Sequence, residues 1–151
     1  MTSGERRFSE RLQDLLEDDY LCWFNVPVGP KQLQPDFILL HPIRGLLIVE
    51  VKDWKLETLQ SADRESVTIL TDHGAKLTRN PLAQARQYAM AVTDLLQKDP
   101  ALRAPEGASH PGTLCMPFGW GVVLANITRQ QFERAGLAEV IEPARRYPAF
   151  E

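Results

Sequence analysis

An apolar segment interrupted by two charges constrains the fold of this chain more than any other feature. Residues 46–52 read Leu-Leu-Ile-Val-Glu-Val-Lys, so Glu50 and Lys52 are the charged side chains of an otherwise apolar run. A short, nearly continuous apolar run is typical of a central strand that is covered on both faces. Because side chains two positions apart on a strand point to the same side, Glu50 and Lys52 share one face. The segment predicts a layered α/β domain with an acid in a core strand.

The surrounding patterns predict the remaining elements. In chain order these are a helix at 3–18 capped by Ser3, strands at 20–28, 36–41 and 46–52, a hairpin at 67–78, a helix at 80–98 capped by Asn80, a strand at 120–125 and a helix capped by Thr128, with Phe132 and Leu137 facing inward. These elements are recognised by apolar periodicity and by capping and turn residues. Residues 99–117 are rich in Pro and Gly and predict a long loop. The order indicates a single α/β sandwich with a mixed sheet.

Composition narrows the classes of function. The chain has 151 residues, 44% of them hydrophobic, and a net charge of −3. A role driven by bulk positive charge, as in a histone-like protein, is therefore disfavoured. The apolar runs are far shorter than the ~20 residues of a membrane span, and no signal-peptide pattern opens the chain, so we expect a cytoplasmic protein without a membrane partner. Cys22 and Cys115 lack CxxC spacing and are expected to be buried, reduced thiols.

Three charged residues are predicted to converge at one rim of the sheet. Asp36 opens the strand that precedes 46–52, and residues 42–45 form a tight turn between the two strands. In an antiparallel hairpin the start of one strand lies beside the end of the next, which places Asp36 near Glu50 and Lys52. Two nearby carboxylates repel unless a cation lies between them, and Mg²⁺ prefers carboxylate oxygens. With a lysine to stabilise developing negative charge, this set suits phosphodiester hydrolysis.

The same residues have a simpler interpretation. Glu50 could form a structural salt bridge with Lys52, or with Arg44, at the end of a strand. An Asp followed by a [DE]xK spacing arises by chance in roughly 0.7 places in a chain of this length. The residues alone leave both interpretations open.

Longer segments of the chain resemble a known family. Pro35-Asp36 followed by Glu50-Val51-Lys52 resembles the signature of the PD-(D/E)XK nuclease superfamily, and the finer resemblance is to the nuclease-related domain, or NERD. The segments that carry it are 4–7, 45–54, 80–85 and 119–126. The resemblance implies a restriction-endonuclease-like, three-layer α/β fold with a central mixed β-sheet flanked by helices. It implies a domain at residues 1–142, followed at 143–151 by a tail or linker toward a missing C-terminal region.

The resemblance also implies roles for individual residues. Asp36 and Glu50 match the metal-binding acids, the backbone carbonyl of Val51 completes the ligand set, and Lys52 matches the catalytic lysine. Glu5 matches an acid on the first helix. Its alternative is to stabilise the first turn through the helix dipole.

A second motif lies on the long helix. Gln84 and Tyr88 have the Q-x-x-x-Y spacing that RecB-like members of the superfamily carry beside the active site, which implies contact with the substrate. Residues four apart lie on one helical face. The alternative is the polar edge of a solvated helix.

Together these resemblances imply a Mg²⁺- or Mn²⁺-dependent deoxyribonuclease that acts in DNA processing or repair. The expected partners are DNA and a helicase domain in the same parent chain. This chain has no GxxxxGK[ST] phosphate loop, so it is not itself expected to be the ATPase. The alternative is a catalytically inactive module that serves as a DNA-binding or partner-docking platform, which the negative net charge favours.

Overall fold

The computed structural model describes residues 1–141, which form four α-helices and seven strands. In chain order these are α1 (Ser3–Leu15), β1 (Leu21–Phe24), β2 (Phe37–His41), β3 (Gly45–Lys52), β4 (Leu59–Ala62), β5 (Ser66–Thr71), β6 (Gly74–Arg79), α2 (Pro81–Leu96), β7 (Phe118–Leu124), α3 (Arg129–Arg134) and α4 (Ala138–Ile141). Two 3₁₀ turns lie at Leu56–Thr58 and Pro100–Leu102. The tail predicted at 143–151 lies outside the described residues. Within residues 1–141, no helix has the length and apolar character needed to cross a bilayer.

The β2–β3 hairpin is antiparallel, as the sequence predicts. Its register runs from the pair Phe37 and Val49 to the pair His41 and Gly45 at the turn. Gly45 has a φ of 83°, and a Cβ at this position would lie 2.0 Å from the backbone oxygen of Pro117. Only glycine meets both demands without strain. The turn therefore sets the register that pairs Phe37 with Val49 at the other end of the hairpin.

The main sheet is mixed, which confirms the predicted fold class. Its strand order is β1-β2-β3-β7, and β2 is antiparallel to both β1 and β3. Two backbone hydrogen bonds give the direction of β7 beside β3: Leu46 N–H donates to Pro117 O, and Ala125 N–H donates to Lys52 O. Because both residue numbers rise together, β7 runs parallel to β3. A mixed sheet flanked by helices is thus an α/β, nuclease-like architecture.

The described chain divides into two compact units. The first unit contains residues 1–15, 50–84 and 122–141, and the second contains residues 16–49 and 85–121. Each has its own apolar cluster. In the first unit the buried members are Phe132, Leu137 and Ile141. In the second unit they are Val28, Ile38, Leu46, Ile48, Ala89 and Val92. The inward-facing Phe132 and Leu137 were predicted from the sequence.

A second sheet, β4-β5-β6, belongs to the first unit. Its β5–β6 hairpin was predicted, and β4, which pairs antiparallel with β5, was not. In the turn between β4 and β5, the Asp63 carboxylate accepts hydrogen bonds from the backbone N–H groups of Glu65 and Ser66, both at 2.8 Å. These bonds stabilise the ionised form and lower the pKa of Asp63.

Strand β1 is shorter and more exposed than predicted. It ends at Phe24, because Asn25 adopts a left-handed φ of 52° and Pro27 lacks a backbone N–H. Cys22 lies on β1 and is exposed, because β1 is the terminal strand of its sheet. Cys115 is exposed as well, so the prediction of two buried thiols is wrong.

Candidate active site

Glu50 and Lys52 form the centre of the candidate site. They occupy same-face positions near the end of β3, where Glu50 is only 2% exposed. Lys52 Nζ lies 3.6 Å from Glu50 Oε2, and the lysine side chain is 22% exposed. A carboxylate removed from water needs a nearby opposite charge, and the ammonium supplies it. The structure therefore brings together the two residues that first identified this strand.

The other predicted metal ligands lie on the same hairpin. Val51, between the two charged residues, has a buried side chain. Asp36 is half-buried and directly precedes β2, and its backbone oxygen accepts a hydrogen bond from Asn25 N–H at 2.9 Å. Ligation of a metal by Asp36, Glu50 and Val51 stays a prediction.

A network of hydrogen bonds joins three distant segments at the end of β3. Ala125 N–H donates to Lys52 O at 2.9 Å, and the Asn126 side chain donates to Asp53 O at 2.6 Å. Arg7 of α1 then donates through one terminal nitrogen, Nη2, to Ala125 O at 3.1 Å and to Asn126 Oδ1 at 2.6 Å. The backbone of Lys52 and Asp53 is thus held by the two residues that follow β7, and these are held by Arg7 of α1.

Gly4 allows α1 to approach this network. A Cβ at Gly4 would lie 2.8 Å from the Cβ of Ala125 and 2.1 Å from Asp53 Oδ1. Within residues 1–141, Asp53 Oδ1 is buried without a hydrogen-bond partner. It lies against the first turn of α1, where the helix dipole favours a negative charge. The close packing of α1 against Ala125 and Asp53 therefore requires glycine at position 4.

Sequence reasoning did not assign Asp53, Arg7 or Asn126 to the site. The available signal was that all three lie within the segments that resemble the family, 4–7, 45–54 and 119–126. Their partners are mostly backbone oxygens, which every residue has. The sequence therefore does not indicate which donor reaches which oxygen.

Glu5 has a defined local role. Its Oε2 accepts a hydrogen bond from Thr2 N–H at 2.7 Å, and Thr2 Oγ1 accepts one from Glu5 N–H at 3.2 Å. This reciprocal pair is a capping box, and it makes Thr2 the N-cap of α1 in place of the predicted Ser3. The structure thus gives Glu5 a helix-capping function, and its catalytic role stays a prediction.

The start of α2 is confirmed at the predicted cap. Asn80 Oδ1 accepts a hydrogen bond from Leu82 N–H at 2.9 Å, and Pro81 is the first helical residue. The Asn80 side chain, whose residue is 1% exposed, also donates to the backbone oxygens of Asp63 and Val140. One residue therefore caps the helix and ties three segments of the first unit together.

Gln84 and Tyr88 follow on α2 and are both half-buried. Gln84 N–H donates to Asn80 O as part of the first helical turn. Tyr88 packs against the apolar cluster of the second unit. Packing accounts for part of the Tyr88 environment, and substrate contact by either residue stays a prediction.

A second group of metal-ligating residue types lies in the second unit. One ligand atom from each of Glu17, Asp19 and His41 lies within 4.8 Å of the others, close enough to share a cation. However, His41 Nδ1 accepts hydrogen bonds from Ile43 and Arg44 N–H groups at 3.0 Å, and Nε2 lies 2.9 Å from Asp19 Oδ2. An imidazole that accepts at Nδ1 carries its proton on Nε2 and donates it to Asp19. Hydrogen bonding within the protein accounts for this arrangement without an ion.

A mixed sheet flanked by helices, with an acid and a lysine two positions apart on a central strand, is consistent with a nuclease-like fold. The family model described as nuclease-related domain, NERD, matches residues 2–111. The chain therefore belongs to the NERD family, as its resemblance predicted. Comparison with curated proteins and with solved structures gave no match.

Proposed function

We propose that this domain is a metal-dependent deoxyribonuclease that hydrolyses phosphodiester bonds with Mg²⁺ or Mn²⁺. The observation that carries the proposal is the almost fully buried Glu50 on a central strand, with the Lys52 ammonium 3.6 Å away. Buried charges are costly to maintain, and they concentrate at functional sites. Membership of a nuclease-related family supports the same conclusion.

The proposed metal ligands are the carboxylates of Asp36 and Glu50 and the carbonyl of Val51. Asp36 directly precedes β2, and Glu50 and Val51 lie on β3. This donor set consists only of oxygens, which fits Mg²⁺ and Mn²⁺. When bound, the ion supplies Lewis-acid polarisation of the phosphate and lowers the pKa of a water molecule.

Lys52 would supply a positive charge to the reaction. Its ammonium is a compact positive charge that can orient the attacking water or stabilise negative charge on the phosphate oxygens. The water oxygen forms the new bond to phosphorus as the bond to the leaving sugar oxygen breaks, and a proton ends on that leaving oxygen. The hydrogen bond from Ala125 to Lys52 O holds the backbone from which this side chain extends.

The remaining parts of the proposal rest on the family resemblance. Glu5 would act as a further acid near the reaction, and Gln84 and Tyr88 would contact the DNA. The domain would work in DNA processing or repair in the cytoplasm, coupled to a helicase domain of the parent chain.

The decisive experiment is Glu50→Gln, which removes the charge with almost no change in shape. We expect cleavage of single-stranded, duplex and forked DNA in Mg²⁺ or Mn²⁺ to fall at least about 100-fold. Glu57→Gln, which neutralises an exposed acid on a 3₁₀ turn of the same unit, is the matched control and should cleave normally. Undiminished cleavage by Glu50→Gln would refute the assignment.

Calorimetry separates the enzyme from the inactive-module alternative. The enzyme requires Mn²⁺ binding that Asp36→Asn weakens about tenfold or more. DNA binding by the wild-type domain, without metal binding and without cleavage, would identify a binding platform instead.

A further inference from the structure

Arg7 is a surface cation whose partners are all neutral. Its Nη2 donates to a backbone carbonyl oxygen, Ala125 O, and to an amide oxygen, Asn126 Oδ1. No carboxylate within residues 1–141 forms an ion pair with it. Neutral acceptors fix the orientation of the guanidinium without cancelling its charge. The positive charge therefore remains available to an anion.

Two other arginines, Arg129 and Arg103, have their charge offset in ways that the charge of Arg7 is not. Arg129 pairs with Glu133 at 3.2 Å. Arg103 donates to the carbonyls of Gln97 and Lys98, directly after α2, where the helix dipole supplies partial negative charge. Arg7 instead lies near the start of α1, where the helix dipole is positive and no helical carbonyl end compensates it.

The position of Arg7 relates it to the candidate active site. Ala125 accepts from Arg7 and donates to Lys52 O, and Asn126 accepts from Arg7 and donates to Asp53 O. The guanidinium is thus two hydrogen bonds away from the backbone of Lys52. It lies at the end of the strand that carries the Glu50 and Lys52 pair.

The chemistry of the free donors identifies the ligand class. Two bonds occupy Nη2, which leaves the N–H groups of Nη1 and Nε to donate. Each can donate one charge-assisted hydrogen bond to a phosphate oxygen, and prior fixation of the guanidinium lowers the entropy lost on binding. We propose that Arg7 binds a backbone phosphate of the DNA strand beside the cleavage position. This inference rests on the proposed nuclease function, since it takes DNA as the substrate.

The test measures DNA binding without cleavage. The full chain is titrated into a labelled single-stranded oligonucleotide in EDTA, with fluorescence anisotropy recorded over a series of salt concentrations. Arg7→Gln should weaken binding about three- to tenfold and lower the slope of log affinity against log salt by about 0.7, the value for one lost phosphate contact. Arg7→Lys should weaken binding less than Arg7→Gln does, because it keeps the charge and loses only the fixed Nη1 and Nε donors.

Arg6→Gln is the matched control, since it makes the same charge change on the neighbouring exposed residue of α1. Its loss of affinity should be smaller than that of Arg7→Gln. Equal losses and equal salt slopes for the two variants would overturn the assignment. Thermal unfolding checks that each variant is folded, and if Arg7→Gln is not, a loss of affinity in folded Arg7→Lys that exceeds that of Arg6→Lys carries the same decision.

Cleavage in Mn²⁺, measured in parallel with Glu50→Gln, separates this inference from the proposed function. Cleavage that requires Glu50, combined with DNA binding indifferent to Arg7, would overturn only the Arg7 assignment. DNA binding that requires Arg7, without any cleavage, would support the phosphate site and reject the nuclease.

Discussion

The β2–β3 hairpin presents two groups of ionisable residues that look alike by composition and differ in how their polar atoms are used. At the turn, His41 has both ring nitrogens in hydrogen bonds of 2.9–3.0 Å, to Asp19 and to two backbone N–H groups. Near the end of β3, Glu50 is 2% exposed and faces Lys52 at 3.6 Å. The group at the turn, Glu17, Asp19 and His41, has the residue types that many metals prefer. Its geometry, however, is that of a structural hydrogen-bond network.

Proximity of ligand types is therefore weak evidence for a metal site. A histidine is available to a metal only if a nitrogen lone pair is free, and His41 Nδ1 already accepts from Ile43 and Arg44. The Glu50 carboxylate, in contrast, faces a side-chain ammonium at 3.6 Å, and a buried carboxylate needs a positive charge nearby. The two clusters therefore respond differently to substitution and to metal.

The largest expected effect is that of Lys52→Met. It leaves Glu50 buried beside an apolar side chain, and loss of one partner of a buried pair costs about 3–5 kcal/mol in the free energy of unfolding. Mn²⁺ should recover part of this loss by binding the folded state. Urea unfolding with and without Mn²⁺ measures both effects. The double variant with Glu50→Gln is the control and should be more stable than Lys52→Met alone; a single-variant loss under about 1 kcal/mol would contradict the role given to the pair.

The next effect is that of His41→Ala. Two backbone N–H groups lose their acceptor, which lowers the free energy of unfolding by about 2–3 kcal/mol. Affinity for Mn²⁺, measured by calorimetry, should not change. His73→Ala, at an exposed residue of another hairpin turn, is the control and should be close to neutral. Loss of Mn²⁺ binding in His41→Ala alone would reverse the comparison and move the metal to the turn.

Gly4→Ala tests the support beneath the Glu50 and Lys52 pair. The added methyl would meet the Cβ of Ala125 at 2.8 Å, and overpacking of this kind costs about 1–2 kcal/mol. Gly107→Ala is the control, because no atom lies within 4 Å of a Cβ added there. Denaturant unfolding compares the two. Equal stability of both variants would show that the close approach of α1 to Ala125 does not require a glycine at position 4.

The smallest expected effect is that of Asp63→Asn. Asp63 is an exposed carboxylate that belongs to neither of the two groups. Hydrogen bonds from Ser66 and Glu65 lower its folded-state pKa below that of the unfolded chain. Its stabilising contribution is therefore fully present above about pH 4 and is lost as pH falls through the lower folded pKa. Asp63→Asn should reduce stability at neutral pH and flatten the acid limb of the stability profile, while Asp72→Asn, exposed in the next turn, should change neither. A steeper loss of stability at acid pH in Asp63→Asn than in the wild type would contradict the direction of the pKa shift.

Several elements were predictable because their causes are local. The Asn80-Pro81 helix start, the 42–45 turn and the β5–β6 hairpin depend on capping and turn residues that are adjacent in the chain. Strand β4 was missed because Leu59-Gln-Ser-Ala62 has no strand pattern of its own and becomes a strand by pairing with β5. The exposure of Cys22 was missed because apolar neighbours do not reveal that a strand is terminal in its sheet.

The candidate site shows the same division. That Glu50 and Lys52 share a face of a central strand follows from the two-residue period of β-structure, which any reader of residues 46–52 can apply. Three other features depend on contacts that the residue types do not show. Arg7 keeps its charge among neutral oxygens, Gly4 must be small, and His41 is fully hydrogen-bonded. Local periodicity is written in residue types, whereas a backbone oxygen is the same in every residue, so only folding determines which donor reaches it.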